Sequence, residues 1–337
     1  MGAVQPFCEH LKIFEEKCRG ASLRLERVAV ESPASIANLG PGFDIFGLAL
    51  RHPRDALTLE AKEGSGSIEL ETRGEEIPGG NEKNIAFLLI RELLRACGME
   101  RKIDLHITLE KGVPISRGLG SSAASSVAAV GAFSHLFGLP LSERESILIS
   151  ACGEMMAAGS LHYDNVSASY LGGVVLTDYE TLKFIKLPIP ANAFFTVIVP
   201  TGLGKVEGKT RAARGILPKD ISLESSIRQS SAVGKLTASL FLKDLKMFGE
   251  SVSTDHIAEP HRKKLIPYYD LLKKEAFSHG ALGFNISGAG PSVFAVSPNE
   301  KVANNVGKAL TELLEEKGIS SMYIVSEASE EGIKRRE

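Results

Sequence analysis

The most regular pattern in the chain lies at 103–109, where Ile103, Leu105, Ile107 and Leu109 alternate with Asp104, His106 and Thr108. A period of two sends alternate side chains to opposite faces, so the segment predicts a strand buried on one side. Shorter alternations predict strands at 57–61 and 67–70, and further strands are expected at 27–31, 173–177, 194–199 and 321–325. Residues 84–97 read as a helix stopped by Gly98. Ser142 and Glu145 have the spacing of a capping box and open another. Helices are also expected over 225–248, 260–277 and 300–317, with an amphipathic helical extension over 1–25 and a solvated tail at 327–337. Residues 118–142 hold no Asp, Glu, Lys or Arg, a length that could cross a bilayer. Six serines, a histidine, a proline and several glycines interrupt that run, which predicts instead a buried small-residue helix behind a glycine-rich loop.

Composition narrows the class. A chain of 337 residues suggests two domains. A net charge of -2 argues against a dedicated nucleic-acid binder, and no aromatic-basic platform for single strands is present. Glu9, Lys12, Glu15, Glu16 and Lys17 break up the N-terminus, so no signal-peptide core forms. Cys8, Cys18, Cys97 and Cys152 include no C-x-x-C pair, and the expectation is four reduced thiols in a cytoplasmic protein, neither a disulfide framework nor a zinc site. His106 sits on the polar face of its strand without a second histidine at ligand spacing, so it carries no metal role.

The candidate chemistry begins at Pro114-Ile115-Ser116-Arg117-Gly118-Leu119-Gly120-Ser121-Ser122-Ala123-Ala124, between a strand and a long helix. Glycines let backbone approach an anion, and a helix N-terminus offers unpaired N–H groups and the positive end of its dipole. Ser121 and Ser122 fall where hydroxyls reach a phosphate or a metal ion. The loop is not the G-x-x-x-x-G-K-[ST] type. At 204–210 the residues Gly208-Lys209-Thr210 imitate that type, but the upstream glycine is one residue too close.

Two further segments accompany this loop: Pro33-Ala34-Ser35-Ile36-Ala37-Asn38-Leu39-Gly40-Pro41-Gly42-Phe43-Asp44, and Asn285-Ile286-Ser287-Gly288-Ala289-Gly290-Pro291-Ser292. In this order the three resemble the GHMP kinase superfamily, over about 28–325. Within it, His162-Tyr163-Asp164-Asn165 followed by Gly172-Gly173, Thr210 four residues before Arg214 with Leu217-Pro218 beyond, and Glu259-Pro260-His261-Arg262 are similar to the homoserine kinases. Residues 1–25 have no counterpart in the resemblance, and Arg117 stands where small residues are common.

The resemblance implies an α+β, two-domain fold. An N-terminal ATP-binding domain over 22–190 is expected to be like the second domain of ribosomal protein S5, and a C-terminal domain over 191–337 to be ferredoxin-like, with the active site between them. It implies transfer of the γ-phosphate of ATP to the hydroxyl of L-homoserine in threonine biosynthesis. The acceptor would be a small amino acid, with neither nucleic acid nor membrane as partner; homodimers are common in the family. ATP would be held by Asn84, Pro114, Ile115, Ser116, Arg117, Gly118, Leu119, Gly120, Ser121 and Ser122, and Mg2+ by Ser122 and Glu154. Glu154 shares a helical face with Ile147, Ala151 and Ala158, where a lone carboxylate needs a partner. Arg214 and Arg262 would grip the substrate carboxylate. Asp44 and Asn38 would meet its ammonium, and His162 and Asp164 would line the pocket. Asn165, Thr210 and Arg214 are the implied catalytic residues, with Asn165 orienting the hydroxyl, since an amide cannot take a proton as a base. Two alternatives stay open: a kinase of the same superfamily for mevalonate or shikimate, and a catalytically silent ligand sensor on the same fold.

Overall fold

The alternating segment at 103–109 does form a strand, and Ile103, Leu105, Ile107 and Leu109 are buried in it. The structure, a computed structural model, describes residues 8–75, 80, 83–203 and 209–336. The strands in chain order are β1 (Arg27–Ala37), β2 (Phe46–Glu63), β3 (Ile68–Gly74), β4 (Ile103–Lys111), β5 (Val174–Asp178), β6 (Lys183–Leu187), β7 (Phe194–Pro200), β8 (Gly283–Ile286), β9 (Val293–Ser297), β10 (Ser321–Glu327) and β11 (Lys334–Arg336). The helices are α1 (Leu11–Lys17), α2 (Ile85–Ala96), α3 (Ser121–Phe137), α4 (Glu143–Ala158), α5 (Asp164–Leu171), α6 (Lys209–Gly215), α7 (Leu223–Leu242), α8 (Leu245–Val252), α9 (Glu259–Arg262), α10 (Tyr269–Ser278) and α11 (Glu300–Glu316).

Two sheets organise these elements. The first runs β11-β1-β2-β4-β3, with β5 beside β2 and β6 beside β5. Its spine is the long β2, which pairs with β5 through Phe46–Leu48 and with β4 through Ala56–Glu63. The second runs β10-β7-β9-β8, the strand order of a ferredoxin-like domain. Leu57, Leu59, Ile107 and Leu109 of the first sheet share a core with Leu89 and Leu93 of α2 and Ala129 and Phe133 of α3. A second core spans both sheets, joining Phe46 and Leu48 to Phe195, Val197, Phe248 and Phe294. The predicted domain boundary at 190/191 falls between β6 and β7, while β11 returns to the first sheet beside β1.

The small residues of α3 have a packing purpose. Ser125, Ser126, Ala128 and Ala129 are buried, so the helix lies close to its neighbours. Gly153 of α4 meets it closely, since a Cβ there would stand 1.9 Å from Ser126 Oγ. The predicted capping box is present at the start of α4, with Ser142 and Glu145 each bonding the other's backbone.

Four expectations need correction. The helix predicted over 225–248 is two, because Lys243 turns left-handed (φ 54°) between α7 and α8. The helix over 260–277 is likewise broken ahead of α10, where Tyr268 has φ 57° after Pro267. The solvated tail is no tail: Lys334–Arg336 pairs with β1 and Ile333 packs into the core. The four cysteines are not all reduced, for Cys8 and Cys152 are disulfide-bonded and only Cys18 and Cys97 are free. Packing of α1 against α4 joins the two bonded thiols across 144 residues of sequence, a distance at which spacing carries no signal. Of the extension predicted over 1–25, the described part is helical only at α1. Among the described residues no helix is long and apolar enough to cross a membrane.

Candidate active site

The phosphate-loop candidate leaves the end of β4 and turns into the N-terminus of α3 at a cleft of about 900 Å³. Two constraints hold the loop. Ser287 Oγ donates to Gly118 O at 2.6 Å, which pins the third motif against it. Gly118 has φ 79° and a Cβ there would stand 2.3 Å from Ser287 O, so only glycine fits. Arg117 reaches away along the second domain, donating to Leu203 O at 3.0 Å and Thr201 O at 3.3 Å.

The cleft gathers Asn38, Asp44, Asn84, Ile115, Ser116, Arg117, Gly118, Gly120, Ser121, Ser122, Glu154, His162, Asp164, Asn165, Thr210, Arg214 and Arg262. Of the predicted residues, Pro114 and Leu119 do not line it, and Leu119 is wholly buried in the core between the sheets. The imitation loop at 204–208 lies outside the described residues.

At one end, Asn84 caps α2, its carbonyl oxygen accepting from Phe87 N at 3.2 Å. Its buried Nδ2 has no hydrogen-bond partner among the described residues, leaving a donor at the cleft wall. In the middle, Ser122 Oγ donates to Glu154, whose carboxyl is buried. Burial raises the Glu154 pKa, and the Ser122 bond and the His162 charge offset only part of that. A buried carboxylate beside a hydroxyl is a pair of hard oxygen donors short of a cation. Among the described residues no cluster of three or more His, Cys, Asp or Glu could hold a metal ion.

At the other end the charged groups converge. Asn38 (φ 75°) and Asp44 (φ 64°) both adopt the left-handed conformation, which folds their loop back so that Asn38 Oδ1 accepts from Asp44 N at 3.0 Å. Asp44 is ion-paired with Arg214, and His162 Nδ1 lies 3.7 Å from its other oxygen. Arg214 Nη2 and His162 Nδ1 are 3.3 Å apart. Burial would raise the Asp44 pKa, but His162 and Arg214 outweigh it and hold the carboxyl below its ordinary value. For His162, burial disfavours the charged imidazole, and Asp44, Asp164 and Glu154 more than compensate, raising its pKa. Asp164 is pushed up to about 7, first by burial and then by the Asp44 charge. Arg262 is buried, donating to Gly288 O at 3.0 Å and Ala213 O at 3.2 Å, with its guanidinium 4.8 Å from the centre of the Phe43 ring. Between the two ends, Asn165 Oδ1 accepts from Ser35 Oγ at 2.9 Å.

One pair at the cleft was missed by sequence reasoning. Lys111, at the end of β4, is buried and ion-paired with buried Asp55 of β2. It also donates to Ser121 Oγ and Ser125 Oγ, each at 2.9 Å, and so ties β4 to the first turn of α3. Asp55 Oδ1 in turn accepts from Gly112 N and Val113 N, at 3.1 and 3.0 Å, where the chain enters the phosphate loop. The signal was present: Lys111 continues the buried alternation of 103, 105, 107 and 109, and a lysine in that register requires an anion.

Comparison with known proteins places the chain in a family. The family described as GHMP kinases N terminal domain matches residues 84–173, and that described as GHMP kinases C terminal matches 236–316. The chain is 40% identical over 304 residues to a homoserine kinase of Methanopyrus kandleri, covering 89% of this chain and 97% of that protein. It is 36% identical to a homoserine kinase of Pyrococcus abyssi, covering 88% and 96%. Among solved structures it resembles homoserine kinase from Cytophaga hutchinsonii, with a TM-score of 0.82, 37% identity and coverage of 94% and 99%.

Proposed function

We infer from one premise, that this chain belongs to the homoserine kinases within the GHMP kinase family, that it transfers the γ-phosphate of ATP to the side-chain hydroxyl of L-homoserine, giving O-phospho-L-homoserine. The observation that carries the acceptor assignment is the Asp44–Arg214 ion pair in the cleft. An amino acid is a zwitterion. Entering between the two side chains, it exchanges their mutual pairing for two new ones, ammonium to Asp44 and carboxylate to Arg214. Arg262 adds a second positive charge to the carboxylate side, and Asn38 fixes the Asp44 loop. Mevalonate and shikimate carry no ammonium and would leave Asp44 unmatched.

ATP lies across the mouth of α3, its phosphates on the backbone N–H groups of the loop and first helical turn. Asn84 Nδ2, a buried donor without a partner among the described residues, suits the adenine. Ser122 and Glu154 suit Mg2+, which when bound neutralises charge on the phosphate oxygens. Thr210, which also lines the cleft, would hydrogen-bond the transferring phosphoryl group. Asn165 is held by Ser35 through its oxygen, which leaves its NH2 group to orient the acceptor hydroxyl. With no basic side chain assigned to that hydroxyl, its proton passes to phosphate oxygen or solvent. Phosphoryl transfer permits this, because its barrier is lowered mainly by positioning and charge neutralisation. A homodimer is proposed as well, supported by the exposed apolar side chains Leu223, Ile227, Phe241 and Leu242 of α7.

The test is ADP release with Mg·ATP against L-homoserine, mevalonate, shikimate and galactose. Turnover with homoserine alone is expected. Turnover with another acceptor would overturn the reading of Asp44 and Arg214, and ATP binding without turnover would favour a ligand sensor.

A further inference from the structure

Residues 8–18 lie outside the family resemblance, yet they are fastened to the elements that build the acceptor pocket. Cys8 is disulfide-bonded to Cys152 of α4, two residues ahead of Glu154. His10 Nε2 and the Tyr163 hydroxyl lie 2.9 Å apart, both residues are buried, and Tyr163 stands in the chain between His162 and Asp164. Ile13 packs on Leu148, Ala151 and Tyr163. At the far end, Cys18 is a free thiol buried in the core that Cys97 also packs against. The disulfide at one end and this buried side chain at the other fasten the segment to the body of the domain.

We propose that residues 8–18 are a strap on the acceptor pocket whose first residues are released by reduction: breaking the Cys8–Cys152 bond frees His10 from Tyr163 and weakens acceptor binding. The proposal rests, for its kinetic arm, on the homoserine kinase reading. Leu11, Phe14 and Cys18 are buried in the first core and Lys17 pairs with Glu145, so the stretch that depends on the bond is the start of the strap, Cys8 to His10. A helix of seven residues has no stability of its own in water, and its docking must offset the lost freedom of the chain. The disulfide lowers that cost by keeping the segment beside its site. Docked, the strap backs Tyr163 and so sets the backbone that carries His162 and Asp164. The phosphate loop is held separately, by Ser287 and by the Asp55–Lys111 pair.

The chemistry balances with a dithiol as reductant. One of its thiolates attacks a sulfur of the Cys8–Cys152 bond, its second thiol resolves the mixed disulfide, and it leaves as a cyclic disulfide. Two electrons and two protons pass to the protein, which is left with two thiols.

The experiment uses the full chain and dithiothreitol. Maleimide labelling after denaturation should mark Cys18 and Cys97 alone in the oxidised protein, and all four cysteines after reduction. Steady-state kinetics of the two forms should show the KM for L-homoserine raised about tenfold on reduction, as expected when pocket side chains lose their support. The KM for Mg·ATP should stay within about twofold, because the phosphate loop has its own anchors. Cys8→Ser should show the reduced constants with or without dithiothreitol, whereas Cys18→Ser should keep the full response. Equal homoserine KM in the two forms overturns the proposal, as does a parallel rise in both KM values. Hydrogen exchange reads the strap without any acceptor. On reduction, amides of 160–167 should exchange at least about tenfold faster while those of β4 do not change. Unchanged exchange at 160–167 overturns the strap. Absence of homoserine turnover in the oxidised form would instead overturn the acceptor assignment, with the exchange result still judging the strap.

Discussion

Replacing Lys111 by Met removes one charge from a pair that is almost wholly dry. The side chains of Lys111 and Asp55 are 2% and 0% exposed. Met keeps most of the volume, so the perturbation is chiefly electrostatic. Asp55 would keep its two backbone donors, Gly112 N and Val113 N, and the Ser125 hydroxyl at 2.8 Å, but lose its countercharge. Truncating one partner of a buried pair costs roughly 3–5 kcal/mol, because the remaining charge is left without compensation. The same change unties Ser121 and Ser125 from β4, so the phosphate loop loosens and the KM for Mg·ATP should rise by about tenfold or more, the equivalent of ~1.4 kcal/mol. Urea denaturation measures the first effect and steady-state kinetics the second. The double variant Lys111→Met/Asp55→Asn isolates the cause. Asn keeps an oxygen for Gly112 N and Val113 N without the charge, and should recover at least half of the stability loss. A loss below about 1 kcal/mol in Lys111→Met would refute the reasoning, since that is the scale of an exposed pair. So would a double variant less stable than the sum of the two single changes.

Glu154→Gln keeps the shape but not the charge of the proposed Mg2+ ligand; kcat should fall by about a hundredfold or more and the Mg2+ requirement should rise, and an unchanged Mg2+ titration would remove that role. Asp44→Asn leaves Arg214 without its partner and the substrate ammonium without a counterion; kcat/KM for homoserine should fall by the equivalent of roughly 2–5 kcal/mol, with the KM for ATP little affected. Asp164 ordinarily titrates at 3.8 and stands at about 7 in the fold, so between those values the folded chain holds a proton that the unfolded chain has lost. Its contribution to stability is therefore fully present below 3.8 and lost as pH rises through 7, with the raised His162 acting in the same direction; unfolding free energies at successive pH values should decline less steeply in Asp164→Asn. Gly118→Ala forces a left-handed alanine against Ser287 O, and should cost about 1–3 kcal/mol and weaken ATP binding; a variant with unchanged ATP KM would show that the loop does not need that contact.

Local order was legible. The alternation of β4, the capping box of α4, the small-residue helix α3 and the loop before it are set by neighbours two to four residues apart, and periodicity reads such contacts directly. The three motifs also announced which side chains meet at the cleft, because their order in the chain carried a resemblance. The break at Lys243 was hidden, since a non-glycine residue turned left-handed there, whereas Pro267 marked the break ahead of α10 and was passed over. Lys334–Arg336 looked like a solvated tail because three charged residues in a row are usually exposed, and only an open edge of β1 with Glu31 beside it gives them a partner. What the sequence alone determined is thus the strands other than β6, β8, β9 and β11, most helices and the kind of chemistry. The tertiary structure decided how the charges are neutralised: Lys111 by Asp55 across 56 residues and Asp44 by Arg214 across 170, with Cys8 bonded to Cys152 across 144. Each of these pairings exists only after sheet and helix packing has closed the intervening chain, and so no local pattern encodes it.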